Sequence, residues 1–374
     1  MKKAFDRVEY PALFEALRVQ GVPPGYLAVL AQIYSDQVGC VHGTEPFDIQ
    51  RGVKQGDIIS PLLFNAALEL AMSRWKARIG NDGIDLGDGM RLTNVRYADD
   101  LMLYARSLGE LVRMIEVLVD ELAALGLQLN ATKTKIFTTD RLQTQLSVDI
   151  AGDFVEVMVG LASHKYLGHK VPGSLRDRSR VELAHRVQAA WLKFHEHRDV
   201  LTDRNISVRL RLKLFDATVS PTVLFGLATV PLSQNQLEYL GALQRRMLRL
   251  IVGWVRLGDE PWDETMRRMR DRVSRALVLF PVETWPKKHL RYKYRYVGRV
   301  LQKAGDLPAR VLNWDPTSTD ETARRPPGRP ALRWDDDLML FAAERFPGRP
   351  WFHVAANPAE WNAEEHSFLE KFNK

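Results

Sequence analysis

The stretch "RYADDLMLYA", residues 96–105, sets Asp99 and Asp100 side by side between two short apolar arms. Each carboxylate raises the cost of ionising the other, so the pair calls for open water or for a cation. Oxygen-only ligands, few in number, suit Mg²⁺, which takes one or two protein carboxylates and fills its shell with water and substrate phosphates. Asp99 and Asp100 are therefore candidate ligands for a metal held against a nucleoside triphosphate. A solvated Asp-Asp turn that binds nothing is the competing reading, because aspartate is a common turn residue. The flanks weigh against it: Val95, Tyr97, Leu101 and Leu103 read as the arms of a packed β-hairpin.

Other elements must hold such a tip. "EYPALFEALRVQGVP" puts Leu13 and Leu17 on one helical face before "GVPPG" breaks it, and "YLAVLAQIY" repeats Leu27, Leu30 and Tyr34 at helical spacing. Residues 38–50 are rich in glycine and β-branched side chains and predict a strand or hairpin feeding a loop. In "SPLLFNAALEL", Ser60 can cap a buried helix with Pro61 in its first position. Residues 108–125 predict an amphipathic helix ended by Gly126, "LQLNATKTKIF" a turn into a strand, and "HKYLGHKV" a short strand pair. From about residue 176 the pattern changes to long basic helices, with "VPGS" near 171–175 as the break.

At 374 residues the chain is long enough for two or three packed domains. The net charge of +7 is unevenly placed: residues 1–140 hold 15 Lys and Arg against 18 Asp and Glu, residues 141–374 hold 38 against 28. The basic half is suited to a polyanion. A single cysteine, Cys40, excludes an internal disulfide and a cysteine-based zinc site, and fits a reducing compartment. The longest apolar run, "IISPLLFNAALELAM", is broken by Ser60, Pro61, Asn65 and Glu69 and falls short of the roughly 18 residues a membrane span needs. The opening "MKKAFDRVEYP" has no apolar stretch of the secretory kind, so the expectation is a soluble protein with no membrane partner.

In order along the chain, "KKAFDRV", "RGVKQGDIISPLLFNAALE" and "YADD" resemble the palm motifs of the reverse transcriptases of non-LTR retrotransposons. "GLQLNATKTK" is similar to the glycine, asparagine and lysine block after their catalytic hairpin, and "HKYLGHKV" to their primer-grip strand pair. The resemblance is strong over about residues 1–170. It continues more loosely to about 255 through "KLFDATVSPTVLFG" and "LQRRMLRLIVGW". It implies an α+β fold: a polymerase-type palm, an antiparallel sheet packed on helices and lacking most of the fingers, at 1–172. A helical thumb-like domain at 173–258 would follow; composition, not the resemblance, then marks a basic helical region at 259–317, a flexible linker at 318–332 and a C-terminal helical segment at 333–374.

The implied activity is RNA-directed DNA polymerisation, a two-metal phosphoryl transfer to a primer 3′-hydroxyl. Mg²⁺, or alternatively Mn²⁺, would be the cofactor. An RNA template, a DNA primer or target and deoxynucleoside triphosphates would be the partners. By resemblance Asp99 is the principal metal ligand and Asp100 its support. Phe5 matches the aromatic under the sugar of the incoming nucleotide, Gln55 the glutamine that touches that sugar, and Gly56 lets backbone approach the substrate. Lys133 matches a lysine near the triphosphate, where a cation favours departure of pyrophosphate. Tyr97 would pack near the primer terminus or in the core, and Tyr166 and Gly168 belong to the primer grip. The family's first motif also has an aspartate five residues before its phenylalanine, a position that here precedes Met1. On that ground the expectation is little or no polymerase activity for the chain as it stands, with Asp6 capping a helix rather than ligating metal.

Residues 245–310 hold 17 Lys and Arg against 7 Asp and Glu. "KKHLRYKYRYVGRVLQK" interleaves tyrosines with cations, which makes Arg291, Tyr292, Lys293 and Arg295 candidate primer or template contacts. The alternative is that Leu290, Tyr294, Val297 and Leu301 form an apolar helix face and the cations only solvate the other. "RRPPGRP" reads as a flexible linker or as a short minor-groove hook. His185, His195 and His197 lack the companions of a zinc site. Two other readings remain at this point: a nucleic-acid-binding protein that keeps a polymerase scaffold without turnover, and, less favoured, a maturase-like intron protein. Either way an intracellular protein is expected, nuclear if the host is a eukaryote, and its oligomeric state is not legible.

Overall fold

The computed structural model describes residues 1, 4–43, 45–138, 144–159, 162–303, 305–314 and 332–372. It is a mixed α+β structure, dominated by helices, in two compact units: residues 1–159, and the described residues from 162 on.

In the first unit a 3-10 turn at Ala4–Asp6 precedes α1 (Tyr10–Val19) and α2 (Pro24–Tyr34). Strands β1 (Val38–Gly39) and β2 (Phe47–Asp48) pair antiparallel before α3 (Ser60–Ile79). Next come β3 (Ile84–Asp85) paired with β4 (Arg91–Leu92), then β5 (Asn94–Tyr97) paired with β6 (Asp100–Leu103), and α4 (Leu108–Ala123). The last three strands, β7 (Lys135–Phe137), β8 (Ser147–Ile150) and β9 (Asp153–Met158), form a sheet in the order β7-β9-β8.

Helix α3 is the core element the sequence predicts: Phe64, Ala67, Leu68, Ala71, Met72 and Trp75 are buried, and Trp75 Nε1 donates to the Met114 carbonyl on α4 at 2.8 Å. Its start differs in detail. Ile59 already has helical backbone angles, so Ser60 falls inside the first turn and caps nothing, while Pro61 sits in that turn as expected. Helix α4 begins on the Ser107 cap, whose hydroxyl accepts from the Glu110 amide at 3.2 Å. Its periodicity serves two cores at once. Met114, Leu118 and Leu122 face α1 and α3, whereas Ile115 joins Ile136, Val148, Ile150, Val155 and Val157 of the three-stranded sheet.

The expected antiparallel palm sheet is instead a set of small sheets. Among the described residues the hairpin β5-β6 stands as a pair, and β7 runs parallel to β9 in the only three-stranded sheet. The strands are two to six residues long.

The second unit opens with the hairpin β10 (Ser163–Tyr166) and β11 (His169–Pro172). Helices α5 (Arg178–Glu196), α6 (Arg198–Thr202), α7 (Val208–Leu224), α8 (Gln234–Ile251) and α9 (Trp262–Leu279) follow. They share one core with the start of α10 (Trp285–Leu301), whose Trp285 stacks on Phe215 at 5.7 Å. The rest of α10 packs with α11 (Leu307–Asn313), α12 (Asp336–Arg345), α13 (Trp351–Ala355), α14 (Pro358–Ala363) and α15 (Glu365–Phe372). Most of the linker expected at 318–332, with "RRPPGRP", lies outside the described residues.

The compact units divide after residue 159. The reason is chemical: the β10-β11 hairpin is docked on α5 by a buried carboxylate. Glu182, fully buried, accepts from the Lys170 amide and from Arg186 Nε, each at 2.6 Å, and lies 3.2 Å from His169 Nδ1. Gly226 makes room for this packing, since a Cβ there would overlap the His169 ring.

Candidate active site

Residues 4–9 are the hub of the first unit. The Val53 amide donates to the Phe5 carbonyl at 2.7 Å, the Gly52 amide to the Val8 carbonyl at 2.8 Å, and the Glu9 amide to the Leu125 carbonyl at 3.0 Å. Two glycines permit this convergence. A Cβ on Gly52 would come within 2.8 Å of the Asp6 backbone, and one on Gly126 within 2.7 Å of the Arg7 carbonyl; both have positive φ. Three of the sequence motifs, around Phe5, Gly52 and Gly126, are thus laced together through backbone. Sequence reasoning marked Gly126 as a helix end and as the first residue of the "GLQLNATKTK" block, and gave Gly52 no role of its own.

The hairpin that carries the aspartates has the register Arg96↔Leu101 and Tyr97↔Asp100, which leaves Ala98 and Asp99 as its two-residue turn. Cross-strand partners share a face. Leu101 and Leu103 pack on the main core, and Arg96 reaches Glu69 on α3 at 2.6 Å. Val95, Tyr97 and Asp100 point the other way and are exposed, Tyr97 by 68%. The packed hairpin expected from Val95, Tyr97, Leu101 and Leu103 is therefore packed on one face only, and the core placement of Tyr97 is set aside. Two-residue alternation decides this.

Asp99 differs from Asp100. It is half-exposed at the turn, and its Oδ2 lies 4.0 Å from the α-amino nitrogen of Met1, at the head of the segment that leads into Phe5. Ala98 before it has φ +50°, a region that favours glycine, so the turn holds Asp99 on a strained backbone. Phe5 stacks on Phe64 of α3 at 4.8 Å with planes 16° apart, which fixes its ring against the core.

Gln55 and Gly56 occupy a tight turn closed by the Asp57 amide on the Lys54 carbonyl, with Gly56 at φ +96° and open space where a Cβ would be. Lys133 is exposed on a turn organised by Asn130, whose side-chain oxygen accepts from Thr132 Oγ1 at 2.8 Å and from the Lys133 amide at 3.3 Å. Gln55 and Lys133 make no hydrogen bond or ion pair to the hairpin. Asp6 is exposed three residues before Glu9, the N-terminal cap of α1, so the capping role expected of it is not seen.

Among the described residues no three His, Cys, Asp or Glu side chains gather as a metal site; the hairpin supplies a pair. Two carboxylates match an ion that arrives on a triphosphate and keeps water and phosphate ligands, and they fall short of an all-protein cage.

In the second unit, Tyr166 and Gly168 lie on the β10-β11 hairpin. Leu167 and Gly168 both have positive φ, the geometry of a type I′ turn, and the Gly168 carbonyl accepts from Arg186. On α10 the apolar-face alternative holds. Leu290, Tyr294, Val297 and Leu301 are buried, and Tyr294 stacks on Trp361 at 4.0 Å. Lys293 is buried with them and pairs with Asp337 at 2.6 Å; Arg291 pairs with Glu283 and Glu365, and Arg295 with Glu365 at 2.7 Å. The charge of Lys293, read from the sequence as a candidate primer or template contact, is thus met inside the fold. Tyr292 stays exposed.

The family described as Reverse transcriptase (RNA-dependent DNA polymerase) matches residues 1–171. A Pol polyprotein of the type-2 retrotransposable element R2DM of Drosophila melanogaster is 33% identical over 138 residues, 36% of this chain and 13% of that protein. One from the type-1 element R2 of Popillia japonica is 27% identical over 344 residues, 82% of this chain and 45% of that protein. A transposon-derived protein of Caenorhabditis elegans is 25% identical over 288 residues, 74% of this chain and 96% of that protein. The chain thus spans less than half the length of the two Pol polyproteins.

Proposed function

The chain carries, over residues 1–171, a reverse transcriptase domain of the non-LTR retrotransposon kind, and from that premise we propose that it uses the β5-β6 tip to add deoxynucleotides to a primer on an RNA template. The observation that carries the proposal is the placement of Asp99, beside a strained turn residue and 4.0 Å from the Met1 nitrogen, four residues before Phe5. In this reading the first unit serves as the palm, and the helices after the β10-β11 hairpin serve as the thumb.

Asp99, with Asp100 beside it, would hold Mg²⁺, which supplies neutralisation of the triphosphate and activation of the primer hydroxyl. Phe5, pinned by Phe64, would lie under the sugar of the incoming nucleotide and exclude a 2′-hydroxyl. Gln55 would meet that sugar, and the open space over Gly56 suits close approach of the substrate. Lys133 would neutralise the departing pyrophosphate from its turn. Tyr97 and the primer-grip residues Tyr166 and Gly168 would steady the primer end. Work on an RNA template joined to DNA would put the protein inside the cell, and in a eukaryote in the nucleus.

The test is primer extension on an RNA template by the purified chain in Mg²⁺, read beside nucleotide-induced thermal stabilisation. Whatever rate the chain sustains should fall by about 100-fold or more in Asp99→Ala, and by less in Asp100→Ala. A deoxynucleotide with Mg²⁺ should raise the melting temperature of the parent chain and not that of Asp99→Ala. Equal rates and equal stabilisation in parent and Asp99→Ala would overturn the assignment. Retained primer–template binding without extension by the parent would favour a binding protein on a polymerase scaffold.

A further inference from the structure

The end of α8 and the turn into α9 read "RRMLRLIVGWVR", residues 245–256, with four arginines and no acid. Three of the four guanidinium groups lie over indole rings. Arg246 is 5.2 Å from the Trp191 centroid, Arg249 6.0 Å from Trp254, and Arg256 5.8 Å from Trp262. Trp254 and Trp262 approach each other at 5.9 Å and are 36% and 57% exposed. Of the acids nearby, Glu260 is engaged by Arg268 at 2.6 Å and Asp263 by Arg267 at 3.8 Å. Among the described residues none of Arg245, Arg246, Arg249 and Arg256 has an ion-pair partner.

The contrast with α10 is direct. There the cations are matched by Glu283, Asp337 and Glu365; here they are left to crowd one another. Burial, then Arg245 and Arg246, pulls the Arg249 guanidinium below its ordinary value. Unmatched charge beside exposed indole faces is relieved by a ligand that brings phosphates and flat aromatic rings together. An unpaired polynucleotide strand does so; a duplex offers the phosphates but keeps its base faces stacked.

We infer that this arginine and tryptophan surface binds single-stranded nucleic acid, with phosphates on Arg245, Arg246, Arg249 and Arg256 and bases on Trp254 and Trp262. The inference rests on the reading above only in taking a polynucleotide as the partner, and it involves none of the residues of the hairpin site.

A labelled 12-nucleotide oligouridylate, titrated into the full chain at several salt concentrations, tests it. The strand should bind the parent and quench indole fluorescence. R245Q/R246Q/R249Q should bind at least about tenfold more weakly, and its log-log salt slope should be shallower by about 2, since each single-strand phosphate contact contributes about 0.7. R245K/R246K/R249K, which keeps the charge, should hold the parent's slope and guards against a folding artefact. W254F/W262F should lose most of the quench, and R74Q/K76Q/R176Q, of equal charge change elsewhere, should bind like the parent. The inference is overturned if the triple glutamine variant binds within twofold of the parent, if the quench survives W254F/W262F, or if a 12-base-pair duplex binds through these arginines as tightly as the strand. A chain that extends no primer yet binds the strand through them would unseat the polymerase reading and leave this one standing.

Discussion

Gly126 shows what a single hydrogen in place of a methyl group can do. Its φ of +78° and its contact with the Arg7 carbonyl and the Glu9 side chain leave no place for a Cβ. Gly126→Ala should lower stability by about 2–3 kcal/mol, from the left-handed backbone penalty and the overlap together. Because the overlap falls on the segment that carries Phe5, nucleotide-induced stabilisation should fall in the same variant. Chemical denaturation beside a nucleotide thermal shift would check both; an unchanged midpoint would contradict the packing. Gly226→Ala should cost about 3 kcal/mol at the His169 ring for the same reasons. At this scale the sequence was informative where chemistry is local. Asp99 and Asp100 announce themselves by adjacency, and Gly56 through the motif that carries it. Nothing in the one-dimensional pattern says which of two neighbouring carboxylates looks inward, since register and the turn at Ala98 decide it.

Among the elements, the β10-β11 hairpin and α5 are joined by chemistry that responds to pH. Burial pushes the Glu182 carboxyl up, but the hydrogen bonds from His169, the Lys170 amide and Arg186 outweigh it and hold it at about 2. A carboxyl depressed on folding contributes stability that is fully present above its ordinary value near 4.5 and is lost as pH falls toward 2. The contribution is on the order of 3 kcal/mol. Between pH 5 and pH 2 the second unit should therefore lose stability more steeply in the parent than in Glu182→Gln, which is weaker at neutral pH and flatter with acid. Parallel acid titrations followed by circular dichroism would show it, and identical profiles would exclude the role. The helix α10 teaches the complementary point. Its apolar spacing of Leu290, Tyr294, Val297 and Leu301 was legible, whereas the partners of Arg291, Lys293 and Arg295 lie on α12, α15 and the approach to α10. A basic stripe alone does not distinguish charge offered to a ligand from charge matched within the fold.

Among the described residues each unit buries two apolar clusters of its own. Phe64 is fully buried in the first and Phe215 in the second. Each substitution by alanine should cost about 3–5 kcal/mol, and calorimetry should show two transitions, with Phe64→Ala lowering one and Phe215→Ala the other. A single transition lowered equally by both would refute the independence. The sequence by itself determined the helices, because apolar periodicity is a local property, and it determined the family over residues 1–171, because ordered motifs survive without their neighbours. Only the tertiary structure decided the rest: that Asp99 rather than Asp100 lies by Met1, that the β10-β11 hairpin packs with the helices, and that the unmatched cations stand at the end of α8. All three depend on which distant groups arrive to satisfy a charge or fill a face, and that is settled by packing.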